Sequence, residues 1–248
     1  MARGVGLRKL LILTLAALLA LAWMRVANGQ GPGIEMRGQV INGTAGAETP
    51  TDLSVSLEVF SQDQVLDSRA VLIDDEGRFS FADVRTGADW YIFSVTYLDV
   101  PYALEIGPGE DTSALSLFVY ETTNSMDQIT ISSSSTLVVG ADAKTRLVSF
   151  LELIQVMNSG DRTFVSDHTT SGGTFLRFPL PPGADGLDIQ SELPEGEAVH
   201  AGQDLGVVAP VPPGQYSVAF SYTAPYEGNA LDVSRTYTLG VGSLRVLA

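Results

Sequence analysis

The sequence predicts an all-β chain: two consecutive antiparallel β-sandwich domains after an N-terminal signal segment. Three observations carry this. Short apolar runs alternate with polar residues at a period of two, as in Phe79 and Phe81 or Tyr91, Phe93, Val95 and Tyr97. Turn formers such as Asp75-Glu76-Gly77, Asn42-Gly43 and Pro212-Pro213-Gly214 punctuate those runs. No long stretch has an unambiguous helical period, and 248 residues suffice for two modest domains.

The elements follow in order. Arg3, Arg8 and Lys9 precede an uncharged, mostly apolar run of 14 residues, Leu10 to Trp23. That suits a secretory signal and is short for a membrane span, which needs about 20 residues. Ala27 and Gly29 are small residues placed for cleavage before Gln30. Residues 1–29 are therefore a signal peptide, or a signal anchor if uncleaved, and 30–35 a flexible Gly/Pro leader.

Strands are expected at Gly38–Ile41, Leu53–Phe60, Val65–Ile73, around Phe79–Phe81, at Tyr91–Tyr97, Pro101–Ile106 and Leu115–Glu121, which complete a first sandwich over 36–121. The polar stretch 122–127 reads as a linker. A second sandwich over 128–248 opens with Ile129–Ile131 and Thr136–Val139. In Arg146–Met157 the polar Ser149, Glu152 and Gln155 recur every three residues, which fits a helix as well as a strand. We assign a strand, because Asn158-Ser159-Gly160-Asp161 offers a hairpin into Thr163–Val165. Phe175–Leu180, Tyr216–Thr223, Asn229–Leu239 and Ser243–Leu247 follow. The apolar pattern runs to Ala248, so a truncated C-terminus, with a membrane anchor missing beyond it, is one reading.

The first half resembles the carboxypeptidase regulatory-like domain, a transthyretin-like β-sandwich. The residues that carry the resemblance are Gly38-Gln39-Val40, Asn42-Gly43-Thr44 with Gly46, Val55-Ser56-Leu57, and Asp74 to Phe81 followed by Val84, Gly87 and Tyr91. The loop Arg85–Asp89 lacks the Pro-Gly usual before that tyrosine. The resemblance implies an accessory module that supports a neighbouring enzyme, binds glycan or spaces surface domains, without catalytic residues. The second half is only faintly similar to immunoglobulin-like modules.

Charge and composition narrow the function. The formal net charge is -15. Without the four basic residues of 1–29, ten basic and 29 acidic residues remain, a charge of -19. Such a surface repels nucleic acid and anionic lipid, so contact with a membrane is expected only through the N-terminal segment or the missing anchor. There is no cysteine, hence no disulfide and no lipid-modified N-terminal cysteine.

Chemistry is hard to find. His168 and His200 are isolated and read as surface histidines, so no zinc site or serine triad is expected. Asp74-Asp75-Glu76 and Glu110-Asp111 are adjacent acids and lack the spacing of a calcium loop. No catalytic, metal-binding or cofactor-binding residue is assigned, and the chain is read as no enzyme. A hydrolase built on an acidic pair is the weakest reading. Trp90 is the candidate ligand-stacking residue, beside Tyr91, Tyr97 and Tyr102; its plainer reading is a sheet-edge cap. The expectation is an exported structural or interaction module of a bacterial cell envelope, with an envelope or surface protein as partner. The alternative is a carbohydrate-binding surface module.

Overall fold

The computed structural model describes residues 33–166, 173–228 and 233–248. The signal segment lies outside them. The described residues are all-β and contain no helix.

The first core is built from seven strands: β1 (Ile34–Asn42), β2 (Ser54–Ser61), β3 (Gln64–Leu72), β4 (Arg78–Val84), β5 (Trp90–Tyr97), β6 (Val100–Ile106) and β7 (Leu115–Val119). They form a four-stranded sheet in the order β3-β2-β5-β6 and a three-stranded sheet in the order β4-β1-β7. The alternation seen in the sequence is what packs them. Val55, Leu57 and Val59 of β2, Phe79 and Phe81 of β4, and Tyr91, Phe93 and Val95 of β5 all point inward. Phe93 sits 5.8 Å from Phe79 and 5.9 Å from Phe81, ring centre to ring centre.

Turn chemistry sets the register. Gly77 takes a φ of +78°, and the Asp74 carboxylate accepts the Glu76 and Arg78 amides at 3.0 and 2.7 Å. The β2–β3 and β5–β6 hairpins turn on Gln62-Asp63 and Leu98-Asp99, all four at positive φ, as a type I′ turn requires. Part of the leader expected over 30–35 is strand: Ile34 and Glu35 already belong to β1, with Ile34 opposite Val84, and 30–32 lie outside the described residues.

Gly38 makes the β4-β1-β7 sheet feasible. A Cβ there would lie 2.4 Å from the Phe79 ring and 2.8 Å from both the Leu115 Cβ and its carbonyl oxygen. Gly38→Ala is expected to cost about 1–3 kcal/mol by overpacking, read as a lower urea midpoint at unchanged slope. An unchanged midpoint would show that β7 can shift freely.

The second core follows β8 (Thr122–Thr123). It comprises β9 (Ile129–Asp142), β10 (Leu147–Asn158), β11 (Thr163–Phe164), β12 (Leu176–Phe178), β13 (Asp185–Ser191), β14 (Glu197–Ala201), β15 (Asp204–Val208), β16 (Gly214–Pro225) and β17 (Leu244–Leu247). A five-stranded sheet in the order β13-β16-β10-β9-β17 faces a three-stranded sheet in the order β12-β15-β14. Phe150, Ile154, Val156, Phe178, Phe220 and Tyr222 fill the space between.

The strand expected over 146–157 forms as β10, Leu147–Asn158, with Arg146 in the preceding turn at positive φ. The threefold recurrence of polar residues arises because Glu152, on the same face as Phe150 and Ile154, is buried in the core. The hairpin expected at 158–165 does not form. Instead of pairing with β10, β11 crosses to lie parallel to β8, and Phe164 bridges Val211. Asn158 is why the chain leaves β10. Its side-chain amide donates to the Arg162 and Val211 carbonyls, both at 2.8 Å, and its carbonyl oxygen accepts the Gly160 amide at 2.9 Å.

The strand expected over Asn229–Leu239 is also overturned. Residues 229–232 lie outside the described residues, and 233–239 form no strand, with a bend at 238–239. Their sequence alternates because Tyr237 and Arg235 turn inward to polar partners, Ser134 for the first and Glu152 for the second.

Three pairings run parallel: β1 with β7, β8 with β11, and β9 with β17. In each core, the first strand therefore lies beside the last.

Candidate functional site

Trp90 opens β5 on its outward face. The residues that alternate inward start with Tyr91, so the indole is thrown to the solvent side with Ile92, and it is 50% exposed. Across the sheet it stands opposite Phe60 of β2, and Phe60 stands opposite Val65 of β3, which is 53% exposed. A row of Val65, Phe60 and Trp90 thus crosses three strands on the outer face. On the other side the indole six-ring rests near Gly107, where a Cβ would come within 3.2 Å of Cζ3.

A cleft of about 350 Å3 opens beside this row, lined by Phe60, Gln62, Asp63, Asp89, Trp90, Ile92 and Glu105. Asp89 fixes its wall. One carboxylate oxygen accepts the Ser61 hydroxyl at 3.1 Å and the Gln62 amide at 2.8 Å, which pins the β2–β3 turn. Three carboxylate residues line the cleft together with the indole, and no lysine or arginine is among the lining residues.

The neighbouring tyrosines do not join Trp90 in an aromatic platform. Tyr91 and Tyr102 are core residues, 6% exposed. The Tyr91 hydroxyl donates to the Arg85 carbonyl, and the Tyr97 hydroxyl donates to Glu121 at 2.7 Å. All three sit on the opposite phase of the pleat from Trp90. Nor does Trp90 cap a sheet edge, because β5 is an inner strand. The residues that do join it, Phe60, Val65, Asp89 and Glu105, were open to sequence reasoning in part. Phe60 falls in phase with the wet residues Ser54, Ser56 and Glu58, and an aromatic in that phase is itself a signal.

The other candidates scatter. His168 lies outside the described residues, as does the side chain of His200. The Asp74 carboxylate caps its own turn, and Asp111 accepts the Ser113 amide. Among the described residues no cluster of three or more metal-ligating side chains occurs. Of the second-half tyrosines, Tyr222 lies in the core and Tyr237 bonds Ser134.

The second core holds a buried ionic cluster. Arg235 Nη1 donates to Glu152 Oε1 at 2.5 Å, Tyr222 donates to the same oxygen at 2.9 Å, and Thr136 donates to Oε2 at 2.8 Å. Arg235 Nη2 also donates to the Tyr222 hydroxyl. Burial opposes the Arg235 charge, but Glu152 and then Tyr222 more than offset it, so the guanidinium stays above its usual value. Burial, followed by the Glu152 carboxylate, pushes the Tyr222 hydroxyl up. Glu152 is fully buried and Arg235 side chain 6% exposed, so this cluster holds structure and offers nothing to a substrate.

A polar joint ties the two cores. The Asp161 carboxylate accepts the Ala45 amide at 3.0 Å, and the Asp161 carbonyl accepts the Thr44 hydroxyl at 2.8 Å. Thr163 meets the Tyr102 hydroxyl at 2.7 Å, and its amide donates to the Glu121 carbonyl at 2.8 Å. Hydrogen bonds from Tyr97, then Asn42, hold the Glu121 carboxyl below its usual range. The stretch 122–127, expected as a plain linker, is thus partly stitched into a two-stranded sheet.

No family model matches the chain, and no curated protein matches it. Among solved structures it is similar to an M1 zinc metallopeptidase from Deinococcus radiodurans, at 13% identity and a TM-score of 0.28, over 46% of this chain and 25% of that one. It is similar to the RrgB pilus protein of Streptococcus pneumoniae, at 9% identity and a TM-score of 0.26, over 82% of this chain and 47% of that one. It is similar to the serine-rich repeat adhesion glycoprotein Srr1 of Streptococcus agalactiae, at 9% identity and a TM-score of 0.25, over 84% of this chain and 94% of that one. The chain spans about a quarter of the length of the metallopeptidases. Likenesses this distant carry no argument about function.

Proposed function

We propose that the chain is a non-catalytic structural and interaction module, exported to a bacterial cell envelope, whose partner is another envelope or surface protein. The observation that carries this reading is the joint. Two sandwich cores are coupled by backbone pairing and by side-chain bonds through Asp161, Thr163 and Glu121. Ordering polar side chains between two domains costs conformational entropy, and a stiff two-module unit suits holding surfaces at a fixed spacing. The signal-like residues 1–29 and the strongly acidic remainder support export and a soluble surface. No helix among the described residues is long and apolar enough to cross a membrane. The resemblance of 36–121 to the carboxypeptidase regulatory-like domain points the same way.

The test is affinity capture. The immobilised chain is exposed to detergent-solubilised envelope of the native organism and washed with salt. One dominant protein retained, and bound again as a purified component, is the expected result. Retention of polysaccharide alone would replace this reading with the second one, a carbohydrate-binding surface module. The exposed indole of Trp90 is the observation favouring that second reading, since a sugar ring stacks on such a face.

A further inference from the structure

Resting on the interaction reading above, we propose that the Trp90 cleft seats an arginine side chain presented by the partner protein. The row of Val65, Phe60 and Trp90 is an exposed apolar strip on an outer sheet face, and its two ends are at least half exposed. Apolar contact alone would fit many occupants. The rim narrows the choice. Asp63, Asp89 and Glu105 line the cleft, and Glu110 Oε1 lies within 3.6 Å of where a Gly107 Cβ would stand, beside the indole. No lysine or arginine is among the lining residues, so every charged side chain that lines the cleft is acidic.

A guanidinium answers both features at once. It stacks on an indole face by cation–π attraction and, being planar, donates in pairs to carboxylates at the ring's edge. An ammonium offers only a point charge. A neutral sugar would use the indole but leave the acidic rim without a countercharge, and an anionic ligand would be repelled by that rim. The carboxylates do not converge as a metal site would, since no such cluster occurs among the described residues. The cleft suits a side chain entering along the strip: the backbone at Gly107 packs close against the six-ring and holds the indole in place, and the pinned Gln62-Asp63 turn forms a fixed far wall. The formal charge of the whole chain, -15, steers a basic segment toward this surface at long range.

The experiment uses the full chain carrying Trp23→Phe, which leaves Trp90 as its sole tryptophan. The probe is an acetylated, amidated glycine peptide containing four arginines. Its control replaces each arginine by citrulline, which keeps the shape and removes the charge. The arginine peptide is expected to change Trp90 emission saturably, and the citrulline peptide to bind roughly tenfold more weakly or worse. Binding followed by calorimetry is expected to fall by roughly tenfold in Trp90→Ala, with the circular dichroism spectrum unchanged. Glu105→Gln, at an exposed position, is expected to weaken binding and its salt dependence together.

Equal binding of both peptides would overturn the proposal, as would full binding by Trp90→Ala. A saturable signal from cellohexaose with none from the arginine peptide would overturn it in favour of glycan. Absence of arginine-peptide binding alongside a protein partner in the capture experiment would refute this assignment and leave the interaction reading standing.

Discussion

Arg235→Ala is expected to destabilise the second sandwich by about 3–5 kcal/mol, the cost of leaving a buried charge without its partner. Arg235 reaches in from the unpaired stretch 233–239 to a carboxylate on the core face of β10. Glu152 Oε1 would keep only the Tyr222 hydroxyl, and Tyr222 would lose the guanidinium that lies over its ring and donates to its oxygen. The stretch 233–239 would lose its main polar anchor as well. Equilibrium urea unfolding followed by far-ultraviolet circular dichroism should show an early transition for the second core. In a Trp23→Phe background, Trp90 emission should still report the first core at its original midpoint. A double replacement, Arg235→Met with Glu152→Leu, should recover most of the loss, because apolar side chains of similar volume often match a buried pair. A single unshifted transition in Arg235→Ala would show that the pair is dispensable.

Asn158→Ala is expected to cost about 1–3 kcal/mol, since it removes three hydrogen bonds made by one buried side chain. Asn158 holds the Arg162 carbonyl and the Gly160 amide and shares the Val211 carbonyl with the Phe164 amide, which donates to it at 3.0 Å. It stands where β10 ends and the chain turns toward Asp161 and Thr163, so its loss should loosen the joint as well as the core. Hydrogen exchange is the suitable measurement. The amides of Thr163 and Val165, which bond the Glu121 and Thr123 carbonyls, should lose protection before those of β10 do. Protection lost evenly over the second core would mean that the joint is not separately set by Asn158.

The first core was legible because its strands are wet on one face. Period-two alternation names each inward residue from Val55 to Val95, and turn residues supply the boundaries. Between residues 181 and 211 the sequence offered no strands, yet β13, β14 and β15 form there. In β13, Gly186 interrupts the pattern and most positions are exposed, so little alternation could develop. In β15, Leu205, Gly206 and Val207 are buried in succession, which removes the alternation altogether. The misleading pattern in 146–157 has a single cause: the partner that makes Glu152 a core residue is 83 positions away. Pairing at that distance leaves no mark on local periodicity. For the candidate site, the phase of Trp90 was readable from the tyrosine that follows it. The acidic rim was not, because Asp63, Asp89 and Glu105 come from three separate hairpin segments that only the sheet brings together.

The parallel pairing of first and last strands has a mechanical consequence. β1 and β7 run the same way side by side, with Gly38 to Asn42 in register with Leu115 to Val119. Tension on the chain before β1 and after β7 therefore drags the two strands past each other along their length. Every bond of that ladder carries load together, where a hairpin pulled at its open end would release them one at a time. β9 and β17 repeat the arrangement over Ser134 to Leu137 and Leu244 to Leu247. Each core thus resists extension at the strands that bound it, as a buckle loaded along its strap, while its interior hairpins stay unloaded.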